Sequence, residues 1–129
     1  MVENIRENRP NLNNIATRSS WEITPMPSKY RTLSFSKKLT EEQMNILRRG
    51  YIPQSMEEKW FYYMEGNILY AHRGWTGICL FTVTFNGENS ILTLNEEELD
   101  TLKSVIGLPY SCKKAISMLI DGWAGKRME

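Results

Sequence analysis

Apolar and polar residues alternate most regularly in the middle of the chain. The segments KWFYYMEGNILYAHR, GICLFTVTF and SILTL are rich in β-branched and aromatic residues, and Gly or Asn turn residues bound each of them. The first segment contains Gly66-Asn67, a pair that suits a tight hairpin, so this segment forms two strands. The pattern predicts a four-stranded antiparallel meander.

Helical periodicity lies on both sides of the predicted sheet. Thr40 and Gln43 form a capping box before an amphipathic stretch that ends at Gly50. After the strands, Asn95 and Glu98 form a second N-terminal capping pattern, and CKKAISMLIDGW repeats apolar residues with a period of about 3.6. The predicted fold is therefore α+β, a four-stranded antiparallel meander with one preceding helix and two C-terminal helices.

The N-terminal part of the chain lacks this regularity. Residues 1–20 are rich in Asn and Arg and include Pro10, so they bury too little apolar surface to offset the entropy of ordering. We expect a mobile basic arm over residues 1–20 and one compact domain over residues 21–129. The segment WEITPMPSKYRTLSFSKK has two prolines and scattered aromatic residues, which suit an extended edge or a loop lying on the surface.

The turn positions predict which strand residues face each other. A two-residue loop at Gly66-Asn67 places Phe61 opposite His72 and Trp60 opposite Arg73. A hairpin at GWTG pairs His72 with Cys79, and a turn at Asn86-Gly87 pairs Phe81 with Leu92. This register predicts one core face, which we expect the C-terminal helices to cover. That face comprises Phe61, Tyr63, Ile68, Tyr70, His72, Cys79, Phe81, Val83, Leu92 and Leu94. The opposite face carries Trp60, Tyr62 and Arg73, and we expect it to be partly open or covered by a partner subunit.

Composition narrows the possible classes of protein. A chain of 129 residues, 41% of them hydrophobic, is sufficient for one core. The net charge of +1 gives no general attraction to nucleic acid or to an anionic membrane, although the first 38 residues are basic and the rest mildly acidic. Cys79 and Cys112 lack the spacing of a metal or redox site, and no signal-like or membrane-spanning apolar run occurs. We expect a soluble, cytoplasmic protein with free thiols and no metal or cofactor.

The most distinctive stretch is LYAHRGWTGICLF, which contains the only histidine of the chain. Arg73 beside Trp60 either presents a guanidinium suited to bidentate contact with phosphate or carboxylate, or stacks on the tryptophan and forms a salt bridge to Glu57 or Glu58. Trp75 lies between two glycines and is either a plug over the end of the sheet or a platform that stacks on a base, and Thr76 adds a hydroxyl. His72 is either a hydrogen-bonded core residue or a general acid or base, and no carboxylate or second histidine accompanies it in the motif.

The segment MEEKWFYYMEGNILYAHRGWTGICLF resembles the core of small bacterial and phage proteins that carry similar EKWF and HRxWTG runs. The resemblance implies a bacterial or phage setting and brings no activity with it. Fold and site predictions therefore depend on the residues alone.

Three classes of function remain. The first is non-enzymatic binding, including sequestration, of a small anionic ligand such as a nucleotide or cyclic nucleotide signal, in a phage or bacterial defence setting. The second is a protein-interaction module that forms a homo-oligomer through the aromatic sheet face. The third is an enzyme that acts on a nucleotide-like ligand with His72 as acid or base. The predicted ligand-binding residues are Trp60, Tyr62, His72, Arg73, Trp75 and Thr76, and no catalytic or metal-binding set is predicted.

Overall fold

The computed structural model describes residues 15–55, 57–106 and 112–125. Five strands and three α-helices follow each other along these residues. In chain order they are β1 (Tyr30–Phe35), α1 (Glu41–Arg48), β2 (Trp60–Glu65), β3 (Ile68–Arg73), β4 (Cys79–Thr84), β5 (Ser90–Asn95), α2 (Leu99–Ile106) and α3 (Cys112–Ala124). Short 3-10 turns occur at Arg18–Ser20 and Glu96–Glu98.

The sheet has five antiparallel strands in the order β1-β5-β4-β3-β2, so the predicted α+β class is confirmed but the predicted count of four strands is wrong. The additional strand is β1, which pairs along its whole length with β5, from Tyr30 opposite Asn95 to Phe35 opposite Ser90. It comes from the segment predicted to be an extended edge or a loop. Its two prolines, Pro25 and Pro27, precede the strand and remove no hydrogen bond from the ladder. One strand consequently precedes α1 in the chain.

The β2–β3 hairpin has the predicted register, with Phe61 opposite His72 and Trp60 opposite Arg73. The next pair of strands differs. His72 faces Cys79, as predicted, but Ala71 faces Phe81, so Leu80 is an extra residue in a β-bulge. Because side chains alternate between faces, one extra residue moves the following part of β4 to the opposite face.

The β4–β5 turn is also longer than predicted. It runs through residues 86–89, where the Asn89 N–H donates to the Asn86 carbonyl over 3.0 Å, in place of a two-residue turn at Asn86-Gly87. Phe81 therefore faces Leu94 and not Leu92. A shift of two residues keeps each β5 side chain on the same face as its new β4 partner, so this difference does not move the core.

The three helices cover the face that carries Trp60 and Tyr62, and the predicted assignment of the two faces is wrong. The bulge places four large apolar residues of β4 and β5 on the same face as Trp60 and Tyr62. These four are Phe81, Val83, Leu92 and Leu94. Leu47 of α1, Leu102 of α2 and Ile120 of α3 pack against them and are fully buried. The predicted open aromatic face is therefore the main hydrophobic core.

An irregular N-terminal segment covers part of the other face. Ala16 is buried against Phe61 and Tyr63, and Trp21 stacks on Phe61 with ring centroids 6.1 Å apart. The Ala16 N–H donates to the Arg49 carbonyl over 2.8 Å. Residues 15–20, the last part of the predicted arm, thus lie against the sheet, whereas residues 1–14 lie outside the described residues and the arm stays a prediction there.

Local sequence signals set the remaining features. The predicted capping box of α1 is present, with Thr40 and Gln43 exchanging two hydrogen bonds of 3.0 Å. Cys79 and Cys112 are free thiols. None of the described helices has the length and apolar character required to span a bilayer.

Candidate functional site

His72 is the most unusual polar residue of the sheet because it is 1% exposed and half of its hydrogen-bonding capacity is unused. Its Nδ1 lies 2.9 Å from the Gly77 carbonyl oxygen. A carbonyl oxygen only accepts, so Nδ1 carries the proton and donates. In the neutral ring Nε2 is then an acceptor, and it has no hydrogen-bond partner among the described residues.

The environment of His72 keeps the ring neutral. Burial lowers the pKa of His72 below its ordinary value of 6.5, the positive charge of Arg18 lowers it further, and the hydrogen bond to Gly77 partly opposes both effects. A neutral ring retains the lone pair on Nε2. A buried polar atom without a partner has an unfavourable free energy, so a hydrogen-bond donor that reached Nε2 would be stabilising.

His72 lines a cavity of about 250 Å³ between the sheet and the N-terminal segment, called here the His72 cavity. Two tyrosines lie beside it on the same face. The rings of Tyr63 and Tyr70 stack with centroids 4.9 Å apart, and the ring of Tyr63 lies almost parallel to His72, at 15° and 5.8 Å. The complete lining is Arg18, Ile23, Pro25, Met26, Tyr63, Tyr70, His72 and Cys79.

Arg18 supplies a positive charge to this cavity. Its guanidinium lies 6.0 Å from the ring centroid of Tyr63 and 5.9 Å from that of Tyr70. It forms two hydrogen bonds to Glu65, from Nε over 3.1 Å and from Nη2 over 2.6 Å, and neither bond uses Nη1. The Arg18 side chain is 58% exposed, so a ligand that enters from solvent can reach it.

Cys79 and Tyr63, which also line the cavity, are neutral at physiological pH. Burial raises the pKa of Cys79 to about 12 and is the largest of the influences that raise the pKa of Tyr63 to about 12. Cys79 is therefore a thiol, and with neutral His72 it does not form the thiolate–imidazolium pair of a cysteine nucleophile. No group of three potential metal ligands occurs among the described residues. The cavity combines one cation with neutral rings and one free acceptor.

Two of the predicted site residues, Trp60 and Tyr62, lie on the opposite side of the sheet. Trp60 is 8% exposed and meets Trp123 of α3 edge to face, with ring centroids 5.5 Å apart. Tyr62 stacks on Trp123 with centroids 3.9 Å apart. Both residues line a second cavity, of about 360 Å³, which we call the Trp123 cavity.

Arg73 faces Trp60 across the hairpin, as predicted, but it contributes to none of these cavities. Its backbone N–H donates to the Ile78 carbonyl over 2.9 Å. No hydrogen bond or ion pair joins its side chain to the part of the chain that the structure describes, so the predicted alternative of a salt bridge to Glu57 or Glu58 is absent there. The predicted cluster of Trp60, Arg73 and Trp75 is thus divided between different surroundings.

Trp75 and Thr76 line a third cavity, of about 540 Å³, which shares Ile23 with the His72 cavity. Trp75 is 63% exposed and therefore does not plug the end of the sheet, and its interpretation as a stacking platform stays a prediction. The plug is Trp21, whose Nε1–H donates to the Gly74 carbonyl over 2.8 Å. The Thr76 hydroxyl accepts from the Ile78 N–H over 3.2 Å.

The sequence prediction missed Arg18 and the roles of Tyr63 and Tyr70. The register prediction does place both tyrosines on the face of His72, so strand alternation could have identified them as site residues. Arg18 lies in a polar segment whose position depends on long-range contacts with β2. No local sequence pattern identifies Arg18 as a site residue. Comparisons with protein-family models, with curated proteins and with solved structures find no match to the chain.

Proposed function

We propose that the protein binds a small anionic ligand with a planar ring, such as a nucleotide or cyclic nucleotide, in the His72 cavity and does not transform it. The observation that carries this proposal is His72, which lines a cavity together with Arg18 and whose buried Nε2 has no hydrogen-bond partner among the described residues. An N–H of the ligand base, on the ring or on an exocyclic amine, would donate to Nε2, and the anionic group would meet Arg18.

The size of the cavity is consistent with a ligand whose ring lies inside it and whose phosphate lies outside it. Cavities that enclose a whole small molecule have volumes of about 300 to 1,000 Å³. A cavity of about 250 Å³ accommodates a flat ring and leaves the phosphate in the solvent-exposed region where Arg18 lies. Stacking of a base on aromatic rings contributes about 1 to 3 kcal/mol. The exposed Trp75 of the neighbouring cavity is a second ring that an extended ligand could contact.

The biological setting is part of the same proposal. The resemblance of residues 56–81 to small bacterial and phage proteins favours sequestration of a nucleotide signal in a defence setting. The alternative of oligomerisation through an aromatic sheet face loses its basis, because the helices bury the face with Trp60 and Tyr62. The experiment must distinguish binding without chemical change from enzymatic turnover in which His72 acts as a base.

The proposal is tested with purified protein in two steps. Mass spectrometry of small molecules that co-purify with the protein first searches for a ligand without assuming its identity. Calorimetric titration then uses AMP, GMP, CMP, UMP and 3′,5′-cyclic AMP, with the corresponding nucleosides to isolate the contribution of phosphate. We expect at least one nucleotide to bind more tightly than its nucleoside and to be recovered unchanged. A ligand converted to product would contradict the non-enzymatic part of the proposal.

Two arginine variants provide a matched comparison. Arg18→Gln should weaken nucleotide binding by about tenfold or more, because a charged hydrogen bond to phosphate is lost. Arg31→Gln is the control, since Arg31 also pairs with a glutamate, Glu96, at 2.7 Å and has a 55% exposed side chain, but lies on β1 outside the cavity. Equal affinity in the two variants would overturn the assignment of the site.

A further inference from the structure

The Trp123 cavity has a different chemistry from the His72 cavity because most of its lining is aromatic. Four aromatic residues line it: Tyr51, Trp60, Tyr62 and Trp123. The backbones of Tyr51 and Tyr62 exchange two hydrogen bonds, of 2.9 and 3.2 Å, which fix the Tyr51 ring beside the edge of the sheet. Trp123 reaches the same place from α3, so three separate elements hold the rings in position.

One carboxylate, from Glu58, completes this cavity. Its Oε1 accepts from the Tyr51 hydroxyl over 2.6 Å and from the Gln54 N–H over 2.9 Å. Oε2 accepts no hydrogen bond from the described residues, and no ion pair joins Glu58 to them. The Tyr51 hydrogen bond, followed by that of Gln54, lowers the pKa of Glu58, so the carboxylate is ionised at neutral pH.

We propose that the Trp123 cavity binds an organic ammonium group, of the quaternary or methylated type. Aromatic faces attract cations through their quadrupole, and a fixed carboxylate adds charge complementarity. A metal ion such as Ca²⁺ requires about six to eight oxygen ligands, whereas this cavity offers few oxygen atoms. An anion would be repelled by Glu58. A volume of about 360 Å³ leaves room for a trimethylammonium group.

Lys59 also lines the cavity, and its positive charge allows a test in which affinity should increase. Its side chain is exposed and forms no ion pair with Glu58. Its ammonium therefore repels a bound cation without neutralising the carboxylate. Removing this charge should strengthen binding of an ammonium ligand, while removing the charge of Glu58 should weaken it.

The experiment compares choline with 3,3-dimethylbutan-1-ol, which has the same shape and no charge. Tryptophan fluorescence of the full chain reports binding through Trp60 and Trp123. We expect saturable binding of choline, and binding of the neutral alcohol that is weaker by about tenfold. Equal binding of the two compounds, or no saturation with choline, would overturn the proposal. Both compounds are tested on the unaltered chain, so this comparison does not depend on the folding of a variant.

Three variants then locate the site. Glu58→Gln retains an acceptor for Tyr51 and should weaken choline binding roughly five- to tenfold. Glu57→Gln removes the same charge from the adjacent exposed residue, which does not line the cavity, and should leave affinity unchanged. Lys59→Gln should strengthen binding. Equal weakening by the two glutamate variants would mean that only net charge matters and would overturn the site.

A short peptide that carries trimethyllysine distinguishes the two sources of such a group. Binding of the peptide at least as tight as that of choline identifies a modified protein as the source, and binding of choline alone identifies a free metabolite. Either result supports an ammonium site. The site is independent of the nucleotide site, so nucleotides should not displace choline.

Discussion

The two faces of the sheet are built from the same strands but are covered in different ways. On one face, three helices pack on residues that are fully buried, among them Leu69, Val83 and Leu92. On the other, an irregular segment covers Phe61 and Tyr63, and the face also carries His72 and Cys79. The rest of this face carries threonines such as Thr93, whose side chains are only half-buried.

The difference shows how the cover determines what a sheet face can do. An amphipathic helix satisfies its own backbone and presents a continuous apolar stripe, so the core beneath it packs densely. An irregular segment makes separate contacts, through Ala16, Trp21 and Ile23, and leaves a cavity between them. We therefore place the candidate anion site on the thinly covered face, where an unpartnered polar atom is compatible with folding.

The largest expected effect separates the two faces at neighbouring positions of β5. Leu92→Ala removes a fully buried side chain from the helix-covered face and should lower the free energy of unfolding by about 2 to 5 kcal/mol. Thr93→Ala changes the next residue, on the other face, and should cost about 1 kcal/mol or less. Urea unfolding of both variants measures the difference. Similar losses would mean that the two faces contribute equally to stability.

The second prediction concerns the loop that supports His72. Gly77 has φ +77°, and a Cβ there would collide with the Glu22 carbonyl oxygen of the N-terminal segment. Gly77→Ala should therefore cost about 2 kcal/mol or more in unfolding free energy. The control is Gly87→Ala, since Gly87 has φ +59° but nothing within 4 Å of a Cβ. It should cost only about 1 kcal/mol, from backbone strain.

Equal costs at Gly77 and Gly87 would show that the N-terminal segment yields to an added methyl group without loss. Nucleotide binding provides a second readout, because only Gly77 accepts a hydrogen bond from His72. Gly77→Ala should reduce binding, and Gly87→Ala should not.

The sequence was sufficient for features that depend on local chemistry. The four strands from β2 to β5, the β2–β3 register and the Thr40 cap were predicted correctly, since turn residues and side-chain alternation determine them. The bulge at Leu80 was not predicted, because an apolar run such as ICLFTV fits either face in either register. That single residue reversed the assignment of the faces and hence of the covered aromatic residues.

The candidate site was predictable in part for the same reason. His72 was identified as a lone polar residue on an apolar strand. Arg18 was not, because its position depends on a pairing with Glu65 that is 47 residues distant in the chain. The pairing of β1 with β5 is likewise long-range, and the segment alone indicated only an extended conformation. Local sequence patterns do not predict contacts between segments that are distant in the chain.

The third prediction tests the cover itself. Trp21→Phe keeps an aromatic ring over Phe61 but removes the Nε1–H that donates to the Gly74 carbonyl. Loss of this hydrogen bond should lower the unfolding free energy by about 1 kcal/mol. Trp75→Phe is the control, because Trp75 is 63% exposed and should change stability by less than about 0.5 kcal/mol. The reverse order, measured by urea unfolding, would identify Trp75 as the plug.

The smallest expected effect is a pH dependence that arises from His72 alone. Because burial and Arg18 lower its pKa in the folded state, the unfolded chain binds a proton first as the pH falls below about 6.5. The folded state is then disfavoured progressively as the pH falls from 6.5 towards the lowered pKa, and above 6.5 the ring is neutral in both states and contributes no pH dependence. His72→Gln removes this titration.

Urea unfolding at about pH 7.5 and about pH 5.5 measures the effect, in a range where most carboxylates of both proteins stay ionised. The unaltered protein should lose more stability between the two pH values than His72→Gln does. A parallel pH dependence in the two proteins would mean that His72 titrates normally in the folded state. Ligand affinity should change with pH in the same direction as stability. Protonation of Nε2 removes the acceptor, so affinity for a ligand whose N–H donates there should fall as the solution is acidified.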